Sequence, residues 1–426
     1  MALDGGSMKK KVLIKGPILT RSGYGEQTRF LLRSLRSRED LFDLYVQPLE
    51  WGNTSWISEV DEEREWIDNT VEKTIGFLQK QNTFDASIQV TIPNEWERLA
   101  PVNIGYTAGI ETNRVAHEWL FKANEMDKLI VISEHAKRGF VETKYSATDQ
   151  QTNQQVVIEL NKPIDVVNYP VRKFPDSEPV ELNLDYDFNF LCVAQMGPRK
   201  NIINTIKWFV EEFRNEEVGL VVKTNMSKNC LGDRITLMHN FKGLLDSLGD
   251  RKCKVYLLHG DMTNSEIHSL YTHPKISSFV LFTHGEGYGL PTFEAIYSGL
   301  PVVTTGWSGQ LDFLVDPETG KDMFYHVSYD IQPVQQEVVW DGVIIKNSMW
   351  AFPREASAKH QMRRCFEHLT ESKSSKKKTL QKFKDYADNV SERFSSEKLY
   401  EKMLNSVCDA LNIDPNETNE QEILSF

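Results

Sequence analysis

Two carboxylates, Glu286 and Glu294, flank a turn that reads His284-Gly-Glu-Gly-Tyr-Gly-Leu-Pro-Thr-Phe-Glu294, with glycines at 285, 287 and 289. A glycine-rich turn entering a helix presents backbone N–H groups to an anion. A phosphate cradle needs no acid at either place. A sugar nucleotide does, because its hydroxyls donate hydrogen bonds and a carboxylate accepts them. Two adjacent cations, Arg199 and Lys200, stand at a second junction of the same kind. Such a pair is costly without an anion, and a diphosphate together with a helix N-terminus would satisfy it. The plainer alternatives are solvated acids at 286 and 294 and a solvated helix start at 199–200.

These residues need elements to position them. Ser277 to Thr283 is a short apolar, β-branched run that reads as a buried strand. Pro291 to Ser298 reads as a helix with proline in its first turn, where a missing N–H is harmless. Gly299 to Thr305 gives a turn and another strand, and Gly306-Trp-Ser-Gly309 is a second glycine loop before Asp312. Adjacent strands ending in glycine loops build one edge of a crevice. Upstream, Phe188 to Ala194 is a strand and Ile202 to Phe213 a helix with Trp208 and Phe209 inward, so Gln195 to Asn201 is the connecting turn.

The stretch Glu286-Gly-Tyr-Gly-Leu-Pro-Thr-Phe-Glu294-Ala, followed by Ser-Gly-Leu-Pro-Val-Val, resembles the E-x7-E signature of retaining glycosyltransferases of family 4. That resemblance implies the GT-B architecture: an α/β chain of two Rossmann-like, doubly wound domains facing across a cleft. It implies that Glu294 binds the ribose hydroxyls and that Glu286 lies by the donor sugar. The backbone of Gly287, Tyr288, Gly289 and Leu290 would face sugar and phosphate. Lys200 and Arg199 would bind the donor diphosphate and stabilise the leaving group. The family's arginine usually lies several residues ahead of the lysine, where this chain has Gln195 and Met196, so Lys200 is the firmer assignment. His259-Gly-Asp-Met262 ends a strand, and Thr263 to Glu266 reads as a capping box. In the family this loop holds the nucleobase, which makes Met262 the candidate here.

The first half alternates strands, at Lys11–Lys15, Phe42–Val46, Phe84–Val90, Val102–Thr107 and Lys128–Ser133, with helices at Gln27–Leu35, Glu62–Gln79 and Arg114–Glu125. That alternation implies a mainly parallel sheet covered on both faces. Thr20-Arg-Ser-Gly23-Tyr-Gly25-Glu26 reads as a glycine loop, which in the family reaches toward donor phosphates and acceptor; a plain surface turn is the alternative. The loop Tyr106 to Arg114 resembles an E-T-x-R loop of the family, so Glu111 and Arg114 are acceptor candidates. The alternative is Glu111 paired with Arg114. His135 reads as a surface or capping residue. Tyr145 to Gln155 reads as a polar loop insertion, Val156–Leu160 and Asp165–Asn168 as closing strands, and Tyr169 to Pro179 as a linker. Val338 to Lys346 is expected to form an extra strand or hairpin. Helices are expected at Arg354–Leu369, Ser374–Val390 and Ser395–Leu411. The domain reading is 8–170 for the acceptor domain and 171–390 for the nucleotide-sugar domain. A helix at 391–412 would cross back, ahead of a frayed acidic tail at 413–426. Residues 1–7 are given no role.

With 426 residues, 26% of them charged and 40% hydrophobic, the chain has room for two soluble domains. A net charge of −12 speaks against a large nucleic-acid footprint. Five scattered cysteines without metal-ligand spacing fit a cytoplasmic protein, and no apolar run suits a transmembrane helix or signal peptide. Asp185-Tyr-Asp187 has the D-x-D pattern, but it precedes a strand, so no metal and no cofactor are expected. The expected reaction is metal-independent hexosyl transfer with retention, from a nucleoside diphosphate sugar, UDP- or GDP-linked, to a glycan or other hydroxyl acceptor. Transfer to hydroxylated DNA bases is the alternative acceptor reading. A non-catalytic sugar-nucleotide-binding protein and a GT-B epimerase or phosphorylase are the alternatives in other classes.

Overall fold

The computed structural model describes residues 9–148, 153–174 and 180–416. The chain divides into two compact units. The first takes the residues up to Gly109, Val115–Pro170 and those from Ser396 on; the second takes Ile110–Arg114 and Val171–Ser395. The expectations for residues 1–7 and most of the acidic tail, and parts of those for the 145–155 insertion and the linker, lie outside the described residues.

The first unit runs β1 (Lys10–Gly16), α1 (Gly23–Arg36), β2 (Phe42–Pro48), α2 (Glu62–Gln79), β3 (Ala86–Val90), β4 (Val102–Thr107), α3 (His117–Glu125), β5 (Lys128–Val131), α4 (Glu134–Val141), β6 (Tyr145–Thr148), β7 (Gln155–Ile158) and β8 (Ile164–Val166). Among the described residues its main sheet has the order β2-β1-β3-β4-β5-β8, and every pairing in it is parallel. A parallel sheet is covered on both faces, so its strands read as continuous apolar runs. Val12, Ile14, Ile88 and Ile104 accordingly have no exposed surface.

The second unit runs β9 (Asn189–Val193), α5 (Ile202–Phe213), β10 (Gly219–Lys223), α6 (Leu231–Ser247), β11 (Lys254–Leu258), α7 (Asn264–Tyr271), β12 (Ile276–Leu281), α8 (Leu290–Tyr297), β13 (Val302–Thr305), α9 (Leu311–Leu314), β14 (Tyr325–Val327), β15 (Tyr329–Pro333), β16 (Met349–Pro353), α10 (Glu355–Thr370) and α11 (Lys373–Arg393). Its main sheet is ordered β11-β10-β9-β12-β13-β14, again parallel throughout. In both sheets the order reverses direction once, between β1 and β3 and between β9 and β12. Ligands of open α/β sheets bind at the carboxyl ends of strands at such a reversal. The last helix, α12 (Ser396–Leu411), belongs to the first unit, where Asp409 and Asp165 both meet Lys128 at 2.7 Å.

Several expectations change. Gly23 and Gly25 are not in a loop but in the first turn of α1, because Ser22 caps the helix by accepting from Gly25 N–H at 2.9 Å. Helix α3 begins at His117, three residues later than expected, and Glu111 to Arg114 is a run of bends. Tyr145 to Gln155 is not a plain loop: Tyr145–Thr148 pairs antiparallel with Gln155–Ile158. The extra strand or hairpin expected at Val338–Lys346 is reduced to one antiparallel bridge between Trp340 and Ile344, and the regular strands of the region, β15 and β16, lie on either side of it. His135 is buried, and Ser133 caps α4. Helix α6 was not anticipated; it buries only Asp233, Leu237 and Phe241, which leaves no apolar stripe to read.

Candidate active site

The order reversal between β9 and β12 sets the turn after β9 beside the turn after β12. After β9, Pro198–Lys200 forms a single 3₁₀ turn, and Asn201 enters α5 in the left-handed conformation (φ 54°), which asparagine tolerates. Asn201 Nδ2 donates to Phe282 O at 3.0 Å, and Arg199 O accepts His284 N–H at 2.8 Å. The two turns are thereby stitched together before any side-chain charge is considered.

Glu286 is the hub. Its carboxylate accepts from Lys200 Nζ at 2.7 Å on both oxygens, and from Arg199 Nη1 at 3.1 Å. Arg199 also donates to Gly285 O at 2.7 Å and pairs through Nη2 with Glu111 at 3.2 Å. Two cations thus face two carboxylates, which answers their mutual repulsion. Glu286 is almost wholly buried. Burial opposes its charge, but Lys200 and then Arg199 overcome it and hold its pKa down at about 2. Burial also opposes the charge on Arg199, yet Glu111 and Glu286 raise its pKa. Lys200 goes the other way: burial, with the neighbouring Arg199 charge, outweighs Glu286 and lowers its pKa.

The backbone around Glu286 is fixed on every side. Glu286 N–H donates to Ser308 Oγ at 2.8 Å, and its carbonyl accepts from Gly309 N–H at 3.0 Å. His284 pairs with β16: its Nδ1 donates to Ala351 O at 2.7 Å and its carbonyl accepts Ala351 N–H at 3.0 Å. Its ring stacks on Trp350 at 5.2 Å. Burial, opposed by the hydrogen bond to Ala351 and reinforced by Arg199, lowers the His284 pKa. At Gly285 a Cβ would lie 2.3 Å from Glu111 O and 2.8 Å from the Trp307 ring, so only glycine fits where the loops cross.

Gly289 turns into α8 at φ 95°, and the first N–H groups of that helix have no partners within it. Tyr288 buries its ring against Phe293 and Phe313, with centroids 5.2 and 5.0 Å away. Glu294, half-buried on α8, stands beside buried Tyr271, whose pKa rises through burial and then through Glu294. Met262 is half-buried in the turn between β11 and α7, whose Thr263–Glu266 capping box forms as read. Gly25 has a packing reason to be glycine, because a Cβ would meet Thr20 O at 2.1 Å, whereas a Cβ on Gly23 would meet open space. Glu111 pairs with Arg199 and not with Arg114, which is exposed. Sequence reasoning missed Ser308, Tyr271 and the Trp350–Phe352 support. The Gly306–Gly309 loop was the one signal that pointed toward Ser308. Among the described residues no group of three His, Cys, Asp or Glu residues could hold a metal, and no helix is long and apolar enough to cross a membrane.

Comparison with known proteins gives the fold a class. No protein-family model matches the chain, and no curated protein matches it significantly by sequence. Solved structures do match. The HepE protein of Anabaena, in complex with UDP and glucose, superposes with a TM-score of 0.58 at 12% identity, over 94% of this chain and 100% of that one. A glycosyltransferase of Rickettsia africae gives 0.59 at 14%, over 96% and 100%. A sucrose-phosphate synthase of Thermosynechococcus elongatus gives 0.58 at 12%, over 95% and 100%. The chain therefore has the fold of GT-B glycosyltransferases, with two Rossmann-like units.

Proposed function

We propose that the chain is a retaining, metal-independent glycosyltransferase of the family 4 type. It moves a hexosyl group from a UDP- or GDP-sugar to a hydroxyl of a saccharide acceptor. The observation that carries this reading is the cluster at the strand-order reversal: Lys200 and Arg199, at the entry to α5, held on buried Glu286 at the entry to α8. HepE, a protein of like fold, is bound to UDP and glucose, which favours UDP among the donors.

In this reading the donor diphosphate takes over the cations that Glu286 holds. Lys200 and Arg199 then neutralise the charge that develops as the bond from the anomeric carbon to the diphosphate oxygen breaks, so no general acid is needed. The acceptor oxygen attacks from the same face, and its proton passes to the departing phosphate oxygen. Glu286, released from the cations, accepts hydrogen bonds from the donor sugar. Glu294 accepts from the ribose hydroxyls, Met262 covers the base, and the backbone of Gly287, Tyr288, Gly289 and Leu290 faces the phosphates. Glu111 serves first by orienting Arg199, and Glu111 and Arg114 remain acceptor candidates.

The test is a thermal-shift screen against UDP, GDP, ADP, CDP and dTDP, with and without magnesium, followed by NMR of the product's anomeric configuration. A ligand that binds only the folded state raises the melting temperature. A metal-independent shift with one of them and a retained anomer are expected. No shift with any, or an inverted product, would refute the reading.

A further inference from the structure

The loop from Leu49 to Asp61, between β2 and α2 of the first unit, reads LEWGNTSWISEVD and contains two tryptophans. Connections of this length without regular structure are uncommon and are usually functional or disordered. This one is pinned. Arg21 N–H donates to Ser55 O and Ile57 N–H to Leu19 O, each at 2.8 Å, and Thr20 and Trp56 form an antiparallel bridge. Arg21 grips both oxygens of Glu59 at 2.5 and 2.6 Å. Buried Arg29 holds the carbonyls of Ile18 and Thr20 at 2.6 and 3.0 Å.

On this rigid frame Trp56 is left 46% exposed. An indole held in water forgoes the stabilisation that its burial would bring, which suggests a ligand that supplies it. Trp51 packs on Tyr24 with ring centroids 4.4 Å apart. Tyr24 is anchored in turn, its hydroxyl 2.8 Å from Thr107 Oγ1 at the end of β4. The strands β1, β2 and β4 are parallel, so these aromatics share the carboxyl edge of the first sheet, near its β1/β3 order reversal.

We propose that Trp51, Tyr24 and Trp56 form a stacking platform for an uncharged saccharide. A pyranose has an apolar C–H face, which suits the negative face of an aromatic ring. Its rim hydroxyls donate to carboxylates. Along residues 50–65 Glu59 is taken by Arg21, Glu63 by Arg33 and Asp61 by the start of α2, which leaves Glu50, Glu62 and Glu65 as acids, with Arg64 the one base of that stretch. That acidity repels a phosphate backbone, which needs lysine and arginine to displace its counterions.

The test is binding of the full chain to an array of neutral oligosaccharides of glucose, galactose, mannose and N-acetylglucosamine. Sulfated glycans and single-stranded oligonucleotides are included as competitors. The wild type is expected to bind a neutral glycan, Trp56→Ala to lose roughly tenfold or more, about 1.4 kcal/mol, and Trp56→Phe to retain most of it. The thermal shift with the nucleoside diphosphates should be the same in all three. Unchanged glycan binding in Trp56→Ala, preference for oligonucleotides or sulfated glycans, or no glycan bound at all would overturn the platform. If no nucleoside diphosphate shifts the wild type, the transferase reading falls. Glycan binding that Trp56→Ala abolishes would still support the platform as a saccharide site.

Discussion

Removing the charge of Glu286 while keeping its shape should expose how much the cluster contributes. In Glu286→Gln, Lys200 and Arg199 lose the buried carboxylate that both hydrogen bond. The fall of that carboxyl from its ordinary 4.5 to about 2, at about 1.4 kcal/mol per pH unit, corresponds to about 3 kcal/mol of stability. The side chain is 6% exposed, so solvent screening takes little from that figure. Breaking a buried ion pair from one side costs about 3–5 kcal/mol, and the depressed Lys200, which can shed its proton, keeps the loss toward the lower end. For a unit of this size the melting temperature should fall by roughly 6–12 °C at pH 7. The sign follows from the depressed pKa. The contribution is complete above about 4.5, fades as pH falls, and is nearly gone at about 2. Urea midpoints of wild type and variant, taken in steps between pH 7 and 2, should therefore converge at the acid end. UDP or GDP should also raise the melting temperature of the variant more than that of the wild type, because a diphosphate supplies the missing anion. A difference below about 1 kcal/mol at pH 7, or one that stays constant down to pH 2, would refute the assignment of Glu286 as an ionised hub.

Three further outcomes are expected. Lys200→Ala should lower kcat by roughly 100-fold or more while weakening nucleoside diphosphate binding far less, since its charge acts mainly on the departing phosphate; steady-state kinetics beside calorimetric titration would separate the two. Glu294→Ala should weaken UDP or GDP by roughly 10- to 100-fold, the value of hydrogen bonds to a charged acceptor, and leave pyrophosphate binding unchanged; equal loss of both would place Glu294 away from the ribose. Gly285→Ala should cost about 1–3 kcal/mol through the clash with Glu111 O and Trp307. Its melting temperature should fall, and adding Trp307→Ala should not restore it, because the closer clash is with the Glu111 carbonyl.

The main sheet strands were legible because parallel strands buried on both faces write near-continuous apolar runs into the chain, as at Leu220–Val222 and Phe279–Leu281. Elements that bury little were not legible: α6 leaves Leu231, Ile235 and Met238 exposed and so carries no stripe. Turn chemistry was only half legible. Thr263–Glu266 forms the capping box its spacing suggests, but Gly23 and Gly25 looked like a loop and lie in a helix, because Ser22 begins α1 earlier than the apolar pattern does. At Glu111 two partners were open from sequence. Arg114 is near in the chain, whereas Arg199 is near in space.

The sequence by itself determined which chemistry was on offer: the acids at 286 and 294, the cations at 199 and 200, and the glycines that let backbone approach an anion. Local rules suffice for that, since residue type and spacing along one turn decide what a turn can present. Only the tertiary structure decided which of these groups meet. Apolar strands carry no record of their neighbours, so the order β11-β10-β9-β12-β13-β14 had to form before the turn after β9 could lie beside the turn after β12. With that order Lys200, Arg199, Glu286 and Glu111 become one charge-balanced cluster, and there Lys200 and Arg199 overcome the cost of burial and hold Glu286 at its low pKa. The same holds for Trp51 and Tyr24, which lie apart in the chain and pack together because two parallel strands end at one edge.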